Sequence, residues 1–203
     1  MPIFNSVYKS FKPPYEYSYD FVWKTTSQME TDGWIFYGNK NYATFNTNWI
    51  NSTSQDVAIF AWIENLSSAI SNAKKITISS TWNLVNWFRN ELSLYSGYSS
   101  WWTGKYWQSM SNAENKMYAV INDNFIATNM SVSWIITETI EIDLENGTWN
   151  VSATNGYSNS WTLSSSDISN IRNNSKWIWI FPWWWWAWNS NWWMTNLSIK
   201  IEN

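Results

Sequence analysis

A strict alternation of apolar and polar residues in ETIEIDLENGTWNVSAT (138–154) constrains the fold more than any other feature of the chain. Residue polarity that repeats every two positions indicates a β-strand with one apolar face and one polar face. The apolar face carries Ile140, Ile142 and Leu144, and the acidic face carries Glu141, Asp143 and Glu145. Asn146-Gly147 favours a type I′ turn, and Trp149 and Val151 continue the apolar pattern on a return strand. The segment therefore predicts a β-hairpin.

Further short strands with Asn, Ser and Gly between them predict an all-β chain. They are predicted at 56–63, 75–80, 91–95, 116–121 and 196–202. Helix is minor, with candidates at 66–72 and one capped turn at 165–171. The stretch SGYSSWWTGKYW (96–107) is typical of a long exposed loop. We expect an antiparallel, jelly-roll-like β-sandwich at 21–203, preceded by an extended N-terminal arm at 1–20.

The first twenty residues differ from the rest in carrying aromatic side chains beside a Pro-Pro pair. The prolines restrict φ and favour extended backbone, so the segment buries little against itself. It suits docking across a neighbouring subunit. The alternative is a first strand folding onto its own domain. The residues expected to dock are Phe4, Tyr8, Phe11, Pro13, Pro14 and Tyr15.

Composition excludes several function classes. The 203 residues carry a net charge of −3 and no basic stripe, so we expect no nucleic-acid partner. Histidine and cysteine are both absent, which removes the usual triads, zinc sites and disulfides. No apolar run is long enough for a spanning helix, and no signal peptide is evident. We expect no cofactor, no metal and no membrane insertion.

Paired carboxylates remain the one catalytic possibility, as in glycoside hydrolysis. The dense acidic cluster consists of Glu138, Glu141, Asp143 and Glu145. A solvated strand face is the ordinary explanation of such a cluster. A calcium site and a glycosidase pair are the alternatives, although no DxDxDG-type loop is present.

Tryptophan, with 21 copies, is densest in WIWIFPWWWWAW (177–188). Residues 177–180 are typical of a buried strand. Pro182 should then lead residues 183–188 out of the sheet, and a turn at 189–191 precedes the last strand. Exposed indoles can stack on sugar rings, and the neighbouring Asn and Ser can bond the sugar hydroxyls. Candidate sugar contacts are Trp183, Trp184, Trp186, Trp188, Trp192 and Trp193.

Two other roles for these indoles stay open, namely packing within the protein or at a subunit interface, and contact with a lipid headgroup layer. Trp101, Trp102 and Trp107 form a second, weaker candidate surface. The chain is otherwise rich in residues whose codons are or can be AT-rich. The tryptophans therefore reflect either UGA read as Trp or direct selection for indole.

The order of these features resembles jelly-roll or concanavalin-like sandwich domains of bacteriophage tail and capsid accessory proteins and of carbohydrate-binding modules. The resemblance rests on the arm MPIFNSVYKSFKPPYEYSYDF, on QMETDGW at the opening of the sandwich, on NAKKITISSTWNL and ELSLYSG in its middle, and on the terminal MTNLSIKIEN. It covers nearly the whole chain. The Trp-dense 183–193 segment departs from the pattern, so no family sugar site transfers onto it.

The resemblance implies a non-enzymatic virion component, a capsid, tail or fibre accessory protein that is assembled in the bacterial host cytoplasm. Its expected partners are other virion proteins, further copies of itself, and a host-surface glycan. The alternative is a free carbohydrate-binding module that uses the Trp-rich loops.

Overall fold

The structure is a computed structural model. It describes residues 14–22, 24–38, 43–46, 49–52, 57–61, 66–83, 89–95, 106–111, 116–121, 124–127, 135–154, 156, 158–175, 177–183 and 193–203.

The described part of the chain consists mainly of short strands. In chain order the elements are β1 (Tyr15–Asp20), α1 (Thr26–Thr31), β2 (Trp34–Gly38), β3 (Ala43–Asn46), β4 (Trp49–Ser52), β5 (Val57–Ala61), α2 (Leu66–Ser71), β6 (Lys75–Asn83), β7 (Arg89–Tyr95), β8 (Tyr106–Ser111), β9 (Lys116–Ile121), β10 (Asn124–Ala127), β11 (Ile135–Asp143), β12 (Thr148–Ala153), β13 (Ser158–Thr162), α3 (Ser165–Asn174), β14 (Trp177–Trp183) and β15 (Trp193–Glu202).

The strands form two antiparallel sheets. Sheet A has eight strands in the order β13-β12-β11-β6-β15-β4-β3, with β1 also paired to β15. Sheet B has seven strands in the order β10-β9-β8-β7-β14-β5-β2. Connections that pass repeatedly from one sheet to the other are the topology of a sandwich. The predicted all-β, antiparallel sandwich is confirmed.

The inner face of sheet A is built from rows of side chains aligned across five strands, β12, β11, β6, β15 and β1. The first row is Trp149, Ile142, Ile76, Ile201 and Tyr15. The second is Val151, Ile140, Ile78, Ile199 and Tyr17. The third is Ala153, Glu138, Ser80, Leu197 and Tyr19. Isoleucine fills the middle of the first two rows and is at most 3% exposed there. Burial of this apolar surface is the main stabilising contribution of the sheet.

The predicted hairpin forms, but its turn is longer than a type I′ turn. Asp143 pairs with Thr148, so four residues connect β11 to β12. The carboxylate of Asp143 accepts hydrogen bonds from the N–H groups of Glu145 and Asn146 at 3.0 and 2.8 Å. Leu144 is buried, and its N–H donates to the Lys74 carbonyl at 2.7 Å. This bond to a neighbouring segment holds Leu144 outside the β11–β12 ladder, so the two-residue turn is wrong.

Helices α2 and α3 connect the sheets at one end of the sandwich. α2 joins β5 of sheet B to β6 of sheet A, α3 joins β13 of sheet A to β14 of sheet B, and the two helices pack together. α3 begins at an N-cap, Ser164, which forms a capping box with Asp167. It extends to Asn174 and is therefore longer than the single predicted turn.

QMETDGW contains the end of helix α1 and the first residue of β2, Trp34, and the helix starts from a capping box of Thr25 and Gln28. One sequence expectation needs correction. Tyr106 and Trp107 begin β8, which pairs with both β7 and β9, so the predicted loop ends before residue 106. Residues 96–105 of that loop lie outside the described residues.

The boundary of the sandwich is earlier than residue 21. Tyr15–Asp20, assigned by sequence to the arm, pairs along Asn196–Ile201 of β15. For these six residues the alternative interpretation, a first strand folding onto its own domain, describes the structure. Pro14 is exposed just before β1. Phe4, Tyr8, Phe11 and Pro13 lie outside the described residues, and their docking role stays a prediction.

Two glycines of positive φ provide a test of the hairpin connection. Gly147 has φ +67°, and a Cβ added there would lie 3.3 Å from the Leu163 carbonyl oxygen. Gly156 has φ +88°, and a Cβ there would contact nothing within 4 Å. Left-handed backbone costs an alanine about 1–2 kcal/mol. We expect Gly156→Ala to lose about this much unfolding free energy in urea titrations, and Gly147→Ala to lose more. Equal losses would show that the contact with Leu163 contributes nothing.

Candidate functional site

The strands that border the Trp-rich segment end side by side. Trp183 is the last residue of β14 and pairs with Arg89, the first residue of β7. Trp193 is the first residue of β15 and pairs with Asn83, the last residue of β6. Five residues join Asn83 to Arg89, and a connection of that length spans at most about 20 Å. The four strand ends therefore lie at the same end of the sandwich, called the Trp end below.

Of the six predicted sugar contacts, two are within the described backbone. Trp183 and Trp193 border the connection from sheet B to sheet A, whereas Trp184, Trp186, Trp188 and Trp192 lie outside the described residues. The prediction that Pro182 leads Trp183 out of the sheet is wrong. β14 pairs with β7 through Trp183, while its pairing with β5 stops at Ile180. A proline lacks one N–H, which leaves the ladder on the opposite edge intact.

The N-terminal strand starts at the opposite end of the molecule. Tyr15 pairs with Ile201, near the end of β15, whereas Trp193 begins that strand. Eight residue steps at about 3.3 Å each separate the two positions, so they lie roughly 25 Å apart. The end that contains Tyr15 and Ile201 is called the arm end below. Residues 1–14 precede it directly in the chain.

An aromatic cluster packs β1 of sheet A against sheet B. The rings of Tyr17 and Tyr19 stack with centroids 6.5 Å apart, and Phe21 contacts Tyr19 at 4.9 Å. Trp34 of sheet B lies 5.1 Å from Tyr19 and 5.3 Å from Phe21. Burial raises the pKa of Tyr17 to about 12. The inward-facing tyrosines of β1 thus pack in or against the core, in contrast to the solvent-exposed Pro14 before them.

Hydrogen bonds among three polar side chains border this aromatic cluster. The Tyr19 hydroxyl donates to Asp32 Oδ2 at 2.8 Å, and Lys24 Nζ donates to the same oxygen at 2.8 Å. Lys24 Nζ also lies 5.0 Å from the centroid of the Tyr19 ring. Hydrogen bonds from Lys24 and Tyr19 lower the pKa of Asp32. Lys24 and Asp32 are therefore engaged with each other and with β1.

The acidic residues of β11 and the following turn do not form one site. Glu138 lies on the inner face and is 2% exposed, whereas Glu141 is on the outer face, where Oε1 is 2.6 Å from Lys75 Nζ. Side chains on opposite faces of one strand cannot flank a common bond. Hydrogen bonds from Asn146 and Glu145 lower the pKa of Asp143. Glu145 is exposed. Among the described residues, no group of three or more acidic side chains is placed to hold a metal ion.

Glu138 is the unusual member of this set. Its register partners, Ser80 and Ala153, carry no charge, and its Oε1 has no hydrogen-bond partner within the described part of the chain. Burial raises the pKa of Glu138 to about 8. The carboxyl is therefore predominantly protonated at neutral pH. Glu138 is two residues before Ile140 and four before Ile142, so the alternation of side chains along the strand already indicates that Glu138 faces inward.

No family model and no curated protein matches the sequence. Solved structures do match its fold. The CBM2 module of the evolved Dit of Lactobacillus casei BL23 phage J-1 has a TM-score of 0.62 and 11% identity, over 95% of this chain and 99% of that chain. Peanut lectin has a TM-score of 0.59 and 12% identity, over 94% and 98%. A carbohydrate esterase of Shiga toxin-encoding bacteriophage phi24B has a TM-score of 0.55 and 8% identity, over 92% and 100%. The chain therefore has a lectin-like β-sandwich fold.

Helices give no indication of a membrane span. In the described residues none is long and apolar enough to cross a bilayer.

The burial of Glu138 predicts that folding stability depends on pH. Its pKa is raised in the folded state from the ordinary 4.5 to about 8, so the folded chain binds more protons than the unfolded chain between these values. Folding stability therefore falls as pH rises through this window and is lowest above it. One pKa unit corresponds to about 1.4 kcal/mol, so the loss amounts to a few kcal/mol.

Glu138→Gln should remove this pH dependence. Urea unfolding of the wild type from pH 5 to pH 9 should show the decline, and the variant should show a flatter profile with higher stability at pH 9. Glu141→Gln, on the solvent-facing side of the same strand, serves as the control and should retain the decline. A Glu138→Gln profile as steep as the wild type would contradict the assignment.

Proposed function

We propose that this protein is a non-enzymatic component of a bacteriophage particle, an accessory protein of the capsid, tail or fibre. It is attached by its N-terminal arm and presents the Trp end to glycan on the host surface. The observation that carries the proposal is the placement of Tyr15 and Trp193 at opposite ends of sheet A. A docking segment before Tyr15 leaves the Trp end directed away from the particle.

Fold and chemistry support the glycan part of the proposal. A similar fold occurs in the CBM2 module of a phage Dit and in a lectin. The segment 184–192 carries Trp184, Trp186, Trp188 and Trp192 together with Asn and Ser. Indole faces can stack on the C–H faces of sugar rings, and the amides and hydroxyls can bond sugar hydroxyls. Binding by stacking and hydrogen bonding needs no catalytic group.

The geometry of the acidic residues favours a binding protein over a glycosidase. Glu138 and Glu141 face opposite sides of β11, and Glu141 is paired with Lys75. The alternative proposal is a free carbohydrate-binding module with the same Trp end. It shares the glycan contact and differs in having no particle partner, so association with particles distinguishes the two. In the leading proposal the protein is assembled with other virion proteins in the host cytoplasm, as a homo-oligomer.

The arm prediction is tested by deleting residues 1–13. This deletion leaves β1 paired with β15, so the thermal transition should change little while association with particles is lost. Peptide mass spectrometry of purified phage particles measures the association, and peptides covering 177–193 also report whether Trp is inserted there. A deletion of residues 1–20 is the matched control, because it also removes β1 and should lower the transition temperature. Unchanged association of the 1–13 deletion would refute the docking role.

The Trp prediction is tested with Trp184→Ala and Trp192→Ala. Each should weaken glycan binding about tenfold or more, the equivalent of about 1.4 kcal/mol, with the thermal transition preserved. Binding to host-surface glycan is measured by calorimetry. Trp161→Ala supplies the contrast, because Trp161 packs against the core from β13 and its loss should lower stability without lowering glycan affinity. Unfolding of the Trp184 and Trp192 variants would instead assign these indoles to the core.

A further inference from the structure

A depression of about 500 Å³ lies on sheet A where β1 and β15 meet. Its volume is within the range of about 300–1,000 Å³ that is common for small-ligand sites. Its described lining comes from two short stretches of chain, one before α1 and one in β15. The residues that line it are Ser18, Tyr19, Asp20, Val22, Thr195, Asn196, Leu197 and Ser198.

The depression arises because the edge of β15 changes partner at this point. β1 pairs with β15 as far as Asn196, and β4 pairs with the same edge at Met194. On its other edge, β15 has a register shift against β6 between Met194 and Asn196. The Phe21 N–H donates to the Thr195 carbonyl at 3.0 Å, the last bond before the chain leaves the sheet. The Val22 N–H then donates to Asp20 Oδ1 at 2.9 Å. A bulge beside a departing strand leaves room that a regular ladder would fill.

Four polar side chains of the depression share the outer face of the sheet. Ser18 pairs with Ser198 and Asp20 pairs with Asn196, while Tyr19 and Leu197 between them are buried. All four polar residues are exposed. Together they offer two hydroxyls, one carboxamide and the free oxygen of a carboxylate. Within the described part of the chain, the side chains of Ser18, Asn196 and Ser198 form no hydrogen bond.

The neighbouring strands show a different arrangement. The Thr81 and Thr137 hydroxyls are 2.9 Å apart, and the Ser79 hydroxyl donates to the Glu138 carbonyl at 3.2 Å. Those hydroxyls are satisfied within the sheet. The polar groups of the depression are thus available to a ligand, whereas those next to it are not.

Charge limits which ligand fits. Among the described residues that line the depression, Asp20 is the only formally charged one. Lys200 is 3.0 Å from Glu202, and Lys24 is bonded to Asp32 on the other face. An anionic ligand would therefore meet the Asp20 carboxylate, and no cation among the described lining residues would offset the repulsion.

We propose that this depression binds a neutral saccharide, with Ser18, Asp20, Asn196 and Ser198 bonding its hydroxyls. Sugar hydroxyls both donate and accept, which matches hydroxyl and carboxamide side chains, and they donate strongly to a carboxylate. The site lies on the outer face of sheet A, no tryptophan is among its described lining residues, and it does not depend on the proposed role of the Trp end.

The test titrates the full-length protein with the methyl glycosides of glucose, galactose and N-acetylglucosamine, and with sialic acid. Backbone amide shifts in nuclear magnetic resonance spectra report where each sugar binds. At least one neutral glycoside should shift the amides of Ser18, Asp20, Asn196 and Ser198. Asn196→Ala and Asp20→Asn should each weaken that binding about tenfold. Asp20→Asn retains an acceptor for the Val22 N–H, so the turn is preserved.

Ser152→Ala is the matched control, because Ser152 is exposed on the outer face of β12 and outside the depression. Its affinity should equal that of the wild type. Binding that survives Trp184→Ala and Trp192→Ala supports this site even if the Trp end proves inactive. Four results would overturn the proposal: no shift with any neutral glycoside, tighter binding of sialic acid, shifts unaffected by Asn196→Ala, or the same shifts on adding calcium alone.

Discussion

The C-terminal strand β15 organises the larger sheet because it is hydrogen-bonded along both edges. β6 pairs with it over nearly its whole length, and the other edge is shared between β1 and β4. The first described strand of the chain is thus hydrogen-bonded to the last. Three features depend on this pairing, namely the position of the arm end, the position of the Trp end, and the depression where the partner changes. Removing β15 would leave β1 with no partner among the described strands.

The inner face of sheet A combines two apolar rows with a third row that contains the polar residues Glu138 and Ser80. Isoleucines from β11, β6 and β15 align across the sheet, as expected of a face that excludes water. Glu138 occupies the next row, beside Ser80, and its Oε1 has no hydrogen-bond partner in the described part of the chain. Protonation removes the charge of this buried carboxyl and couples folding to pH. A hydrocarbon side chain at this position would avoid the cost.

Much of the fold could be predicted from local pattern. The alternation around Ile140 and Ile142 correctly places one face inside, and the prediction of β9 at Lys116–Ile121 has the bounds that the structure shows. The capping box of Thr25 and Gln28 was also visible in the sequence and marks α1, which was missed because the helix has only six residues. The turn after β11 could not be predicted, since the bond from Leu144 to Lys74 joins segments far apart in the chain.

The same distinction between local pattern and long-range pairing applies to the candidate sites. Sequence by itself determined which residues alternate between faces, how few groups are suited to catalysis, and where indole is concentrated, because these are properties of residue type and spacing. Tertiary structure alone decided that Tyr15 and Trp193 lie at opposite ends of one strand, and that Ser18 and Asp20 line one depression with Asn196 and Ser198. The physical reason is that these juxtapositions arise from pairing between strands more than 170 residues apart, as between Tyr15 and Ile201, and no local preference specifies such a partner.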